Sequence, residues 1–80
     1  MNVKVFCVKD DFLGFQDPFI DLHEGSATRR FEMMINKKDS IFYLHPENFN
    51  LYQIAVFNTE SGEYVNDQKF IVAGTSMIKE

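Results

Sequence analysis

The sequence predicts an α+β fold: a mostly antiparallel sheet of three to four strands with one amphipathic helix packed on it, in a single domain spanning residues 1–80. Three observations predict it. Val3-Lys4-Val5-Phe6-Cys7-Val8 is apolar on both alternating faces, as a strand covered on both sides is. Ser26 to Lys38 switches to the helical period. Leu51 to Phe57 and Tyr64 to Val72 are strand-like runs around a turn-forming segment. A single helix between strands, ending in a hairpin, is the pattern of an α+β domain.

In chain order, the central strand Val3–Val8 ends at Asp10 and Asp11, with Gly14 available for a positive φ in the turn. Phe15 to Asp21 reads as a returning edge strand, a bulged strand or an extended loop, because Pro18 cannot donate to a ladder. From Ser26 to Lys38, Ala27, Phe31, Met34, Ile35 and the stem of Lys38 fall on one stripe at 100° per residue. Gly25 or Ser26 is the expected N-cap, and Lys37 with Lys38 is expected at the negative end of the helix dipole. Residues 39–50 read as irregular, with a single 3₁₀ turn starting at Pro46. In the strand Leu51–Phe57, Tyr52, Ile54 and Val56 form the more apolar face. Asn58 to Glu63 reverses the chain, Asn58 closing an Asx turn and Gly62 taking the left-handed position. Tyr64 to Val72 returns, and Ala73-Gly74-Thr75-Ser76 ends it.

Composition bounds the function classes. Apolar residues make up 45% and charged residues 25%, the usage of a globular rather than a disordered chain. A domain of this size buries only about 60–65% of the surface of its unfolded chain, so a homodimer that covers one sheet face or edge is expected. The single cysteine, Cys7, excludes an internal disulfide. It is read as core. Apolar runs are short, and Met1-Asn2-Val3-Lys4 lacks the apolar run of a signal peptide, so a soluble protein without membrane contact is expected.

No phosphate loop, nucleophile elbow, dinucleotide fingerprint or C-x-x-C occurs. His23 and His45 with Asp17 or Asp21 match no metal-ligand spacing, and Asp10, Asp11, Asp17 and Asp21 read as turn-forming carboxylates. The expectation is a protein that is not an enzyme and takes no cofactor, metal or small-molecule substrate. Formal net charge is −4, yet four of the eight basic side chains lie between Arg29 and Lys38. On a helix, Arg29, Arg30, Met33, Asn36 and Lys37 form the arc opposite the apolar stripe. Arg29, Arg30, Lys37 and Lys38 are therefore the candidate nucleic-acid contacts, and the apolar Met33 in their midst is the candidate partner contact. Among the twelve aromatics, Phe12, Phe15, Phe42, Tyr43 and Tyr64 lie at turns or strand ends and are the ones free to stack on unpaired bases.

Taken together, Pro18-Phe19, Gly25-x-Ala27-x-Arg29-x-Phe31 with Asn36, His45-Pro46-Glu47-Asn48-Phe49-x-Leu51-Tyr52-x-Ile54, Phe57-Asn58 and Ser61-Gly62-Glu63-Tyr64 resemble the small nonstructural protein of gokushoviruses, single-stranded DNA phages of the Microviridae. The resemblance runs from Val3 to about Tyr64. Asn48 and Asn58 stand where the family usually has an acidic residue, Ala55 where glycine is common and Ser61 where threonine is. The resemblance implies a phage protein in the cytoplasm of the infected host, acting in DNA replication or packaging without chemistry of its own. Two readings of different class follow. In one the chain binds single-stranded DNA; in the other it engages a phage or host replication protein without touching DNA.

Overall fold

The fold is built outward from the first strand. The computed structural model describes residues 1–79, and in it β1, Asn2–Asp10, buries Val3, Val5, Phe6, Cys7 and Val8 in succession. Such a run needs neighbours along both edges, and it has them. β2 (Gly14–Phe15) and β3 (Phe19–Asp21) both pair with one edge of β1, and β4 (Phe49–Asn58) pairs with the other along nine residue pairs from Asn2↔Asn58 to Asp10↔Phe49. β5 (Tyr64–Ala73) lies outside β4, so the five strands form one wholly antiparallel sheet. The segment after the first turn is thus two short edge strands. Pro18 sits in the gap between them, where no ladder donor is required.

Helix α1, Glu24–Ile35, lays Ala27, Phe31 and Ile35 on one face of the sheet. Together with Phe6, Val8, Phe49 and Leu51 they form the core, with Met34, Phe19, Phe42, Ile71, Val72 and Met77 packed around it. The helix differs from the sequence expectation at both ends. His23 is the N-cap and makes no side-chain cap bond, while Gly25 and Ser26 lie within the first turn. At the other end Asn36 stops the helix. Its Nδ2 donates to the carbonyls of Glu32 (2.8 Å) and Met77 (2.7 Å), and its Oδ1 accepts the Lys79 amide at 2.9 Å. Lys37 and Lys38 consequently lie beyond the helix in the following turn, no basic residue occupies its last turn, and the stem of Lys38 is not part of the apolar stripe.

Asp39 then takes a left-handed φ of 73°, and Ser40 caps a short helix α2, Ile41–Leu44, by accepting the Tyr43 amide on its hydroxyl. α2 lies in the segment that reads as irregular. The 3₁₀ turn Pro46–Asn48 follows as expected.

β4 buries other residues than its apolarity suggests. Phe49, Leu51, Gln53 and Ala55 are buried, whereas Tyr52, Ile54 and Val56 are only half-buried. Two features cause this. The register against β1 shifts at Ile54, where Val5↔Ala55 is followed by Phe6↔Gln53, so the strand bulges and its alternation resets. Gln53 is tolerated inside because its Nε2 donates to the Asp67 carboxylate at 2.9 Å, although its Oε1 has no partner. The β4–β5 turn is as expected: Asn58 Oδ1 accepts the amides of Glu60 and Ser61, and Gly62 has φ 77°. After β5, the 3₁₀ turn Gly74–Met77 folds back against the end of α1. Gly74 is required there, since a Cβ would run into the carbonyl oxygens of Pro46 and Phe49.

Phe31 is fully buried where the helix meets the sheet. Phe31→Ala is expected to cost about 3–5 kcal/mol, comparable to the whole stability of a small domain. Thermal melting followed by circular dichroism checks this, and a variant melting within a few degrees of the parent contradicts the packing.

Candidate functional site

The helix arc loses one of its cations to the fold. Arg30 Nη1 lies 3.5 Å from Asp21 Oδ2 and donates to the Ile20 carbonyl at 3.2 Å, and its guanidinium stands 4.6 Å from the Phe19 ring centroid. Phe19 stacks in turn on Phe6 at 5.8 Å. Arg30 therefore pins β3 to the helix. Arg29, Lys37 and Lys38 are exposed and make no ion pair among the described residues. Met33 is 69% exposed in an open groove of about 470 Å³ shared with Arg30, Met34 and Lys37. Asn36 leaves the arc altogether for its capping role.

The opposite face of the sheet is uncovered, and it carries what the sequence reading missed. Residues paired across antiparallel strands point to the same side. Lys9↔Phe15, Cys7↔Tyr52 and Tyr52↔Phe70 are such pairs, and they alternate with the helix-facing Phe6, Val8 and Leu51. Phe15, Tyr52 and Phe70 thus line up across four strands. Phe15 meets Tyr52 edge to face at 5.4 Å and Tyr52 meets Phe70 at 5.7 Å. Lys9 Nζ stands 5.4 Å from the Phe15 centroid and 5.9 Å from that of Tyr52. Phe15 is 43% and Phe70 54% exposed, so the outer two rings keep free surface. Farther along the same face, Val5, Pro18, Ile20, Phe57 and Tyr64 line a groove of about 320 Å³.

Of the aromatics expected to be free for stacking, Phe15 and Tyr64 lie on this face. Phe42 instead packs on Phe49 at 4.6 Å and belongs to the periphery of the core. Phe12 and Leu13 stand almost fully exposed at the β1–β2 turn, held by an Asx turn in which Asp10 Oδ1 accepts the Phe12 amide at 2.8 Å. Tyr43 is half-exposed on α2. Phe70 and Lys9 had no distinguishing signal, because only pairing across strands brings them to Tyr52.

The carboxylates and histidines do not converge. Asp10 serves its turn, Asp21 faces Arg30 and His45 faces Glu47 at 3.5 Å; no group of potential metal ligands forms among the described residues. Cys7 is buried, as read. Burial, with a smaller contribution from the Asp17 carboxylate, pushes its thiol above the usual value.

This is a small α+β protein in which one helix backs an antiparallel sheet and the other sheet face stands open. Residues 3–77 match the family model described as phage ORF5 protein, and the chain belongs to that family. It is a bacteriophage protein. The match continues past Tyr64 through β5 and the closing 3₁₀ turn. No curated protein and no solved structure matches the chain. No helix among the described residues is long and apolar enough to cross a membrane.

Arg29 and Arg30 stand next to each other in sequence but differ in role, so single substitutions separate them. Arg30→Ala removes an ion pair and a cation–π contact, together about 1 kcal/mol at this exposure, and lowers the melting temperature by roughly 4–8 °C; Arg29→Ala leaves it unchanged. Equal melting of the two variants contradicts the assignment.

Cys7 offers a second check. Its raised pKa favours the neutral thiol in the folded state, so this contribution to stability is complete below the ordinary thiol value, about 8.5, and is lost as pH rises past it. At pH 8 iodoacetamide is expected to label Cys7 in denaturant while sparing the folded chain, and rapid labelling of the folded chain refutes this.

Proposed function

We propose that the chain is a non-enzymatic protein of a single-stranded DNA phage of the gokushovirus type within the Microviridae. It acts in the host cytoplasm during viral DNA replication or packaging by binding single-stranded DNA. The observation that carries the reading is the Phe15–Tyr52–Phe70 row on the open sheet face with Lys9 beside it. Unpaired bases stack on aromatic rings presented by a sheet, and stacking is tolerant of sequence because every base has a π-face. Lys9 is placed to meet a phosphate next to a stacked base. Duplex DNA hides its base faces and gains nothing from such a row.

This places the contact on the side of the sheet away from α1, so Arg29, Lys37 and Lys38 are not its first phosphate partners. The acidic chain fits that arrangement, since stacking needs little positive field. The alternative, a module that engages a phage or host replication protein without touching DNA, draws its support from the exposed Met33 in its cation-rimmed groove.

Fluorescence anisotropy with single-stranded and duplex oligonucleotides at low salt tests the proposal. Single strands should bind and duplexes should not. Phe70→Ala should weaken binding by about 1–3 kcal/mol. The logarithmic salt slope should be near −0.7 for one engaged cation, against nearly −3 if Arg29, Arg30, Lys37 and Lys38 all contacted phosphate. A steep slope that Phe70→Ala leaves unaltered moves the site to the helix. No binding of any oligonucleotide, with capture of a replication protein abolished by Met33→Asp, establishes the alternative.

A further inference from the structure

β5 is the outer strand of the sheet, and every residue from Tyr64 to Phe70 on it is exposed. An unpaired strand edge of this length is a template for another strand, and charges on such an edge usually keep it from pairing indefinitely. Here the charges are Asp67 and Lys69, two residues apart and of opposite sign. The register fixes their side. Tyr64, Asn66 and Phe70 pair with Phe57, Ala55 and Tyr52 on the open face, whereas Lys69 pairs with Gln53, and Asp67 bonds that same glutamine, on the helix side. Alternation puts Gln68 on the open face.

Two copies meeting edge to edge about a two-fold axis run antiparallel, with the axis normal to the sheet, so both open faces stay on one side. Only registers centred on a residue satisfy this, because directly opposed side chains must point the same way. Four such centres engage five or more of the seven exposed residues. Centring on Asn66 leaves Asp67 opposite the uncharged Val65 of the partner subunit and brings Lys69 only against Glu63 of the partner subunit, outside the strand. Centring on Asp67 sets aspartate against aspartate, and centring on Lys69 sets lysine against lysine. Centring on Gln68 sets Asp67 against Lys69 of the partner subunit, twice, and Phe70 against Asn66 of the partner subunit. Asp67 and Lys69, the charges that guard the edge against open-ended association, oppose each other in that register alone.

We propose that this protein forms a two-fold dimer by antiparallel pairing of β5 with β5 of a second copy, centred on Gln68. The pairing joins the two open faces into one surface bearing both aromatic rows. It needs no nucleic acid, so it stands or falls separately from the DNA-binding reading.

Sedimentation and disulfide trapping, both without oligonucleotide, test it. The parent should sediment at twice 9.4 kDa at high micromolar concentration. Lys69→Asp sets like charges against each other on both sides of the axis and should give a monomer with unchanged circular dichroism; adding Asp67→Lys should restore the dimer. Because Asp67→Lys also removes the bond to Gln53, trapping provides a readout that keeps that bond. Gln68→Cys faces its own copy across the axis at a Cα separation of about 4.5–5.5 Å, within disulfide reach, and should crosslink fast on mild oxidation. Asn66→Cys, displaced from the axis on the same strand, should crosslink slowly. A monomeric parent, a Lys69→Asp variant as dimeric as the parent, or equal crosslinking at both positions overturns the proposal.

Discussion

Burial of β1 on both faces is the constraint from which the remaining architecture follows. A strand carrying Val3, Val5, Phe6, Cys7 and Val8 inside cannot lie at an edge, so β4 must pair along its whole length and β2 and β3 must close its other side. On the helix side Phe6 and Val8 require a cover, which Ala27, Phe31 and Ile35 provide. On the other side the cover is sparser. Small side chains such as Val5, Cys7 and Ala55 are sunk between larger neighbours on the same face, which shields them without a second layer. The sheet is thereby complete while one face stays accessible. That asymmetry gives the protein its candidate binding surface.

Much of this is legible in the sequence. The double-faced apolar run identified β1, the stripe Ala27–Phe31–Ile35 identified the helix, and Asn58 with Gly62 identified the hairpin, because each signal is local. The failures are long-range. The helix ends at Asn36 because of Met77 and Lys79, more than forty residues away, and no window around Asn36 contains them. The bulge at Ile54 divides β4, so Tyr52, Ile54 and Val56, which strict alternation puts on one face, do not share one. A buried Gln53 is explicable only once Asp67 is seen opposite.

The same distinction governs the candidate site. The basic arc was legible because its members are consecutive on one helix, yet adjacency in sequence concealed that Arg30 is bound to Asp21, Ile20 and Phe19 while Arg29 is free of such contacts among the described residues. The aromatic row, in contrast, draws Phe15, Tyr52 and Phe70 from three strands and Lys9 from a fourth. Each of these residues is ordinary in its own segment. Their proximity is a property of the register, and a one-residue slip in either pairing would scatter them to opposite faces.

The stitching of Asn36 to Met77 and Lys79 bears on the order in which the chain acquires structure as it leaves the ribosome. β1 and α1 emerge first, but β1 lacks β4 and the helix lacks its terminating partners until the segment after β5 has been made. Contacts so distant in sequence close late, since the loop between them must be ordered before they repay its entropy. Through most of synthesis Phe6, Val8 and Phe31 are apolar surface without a finished core. A pause in synthesis before β5 therefore leaves these side chains open to non-native association.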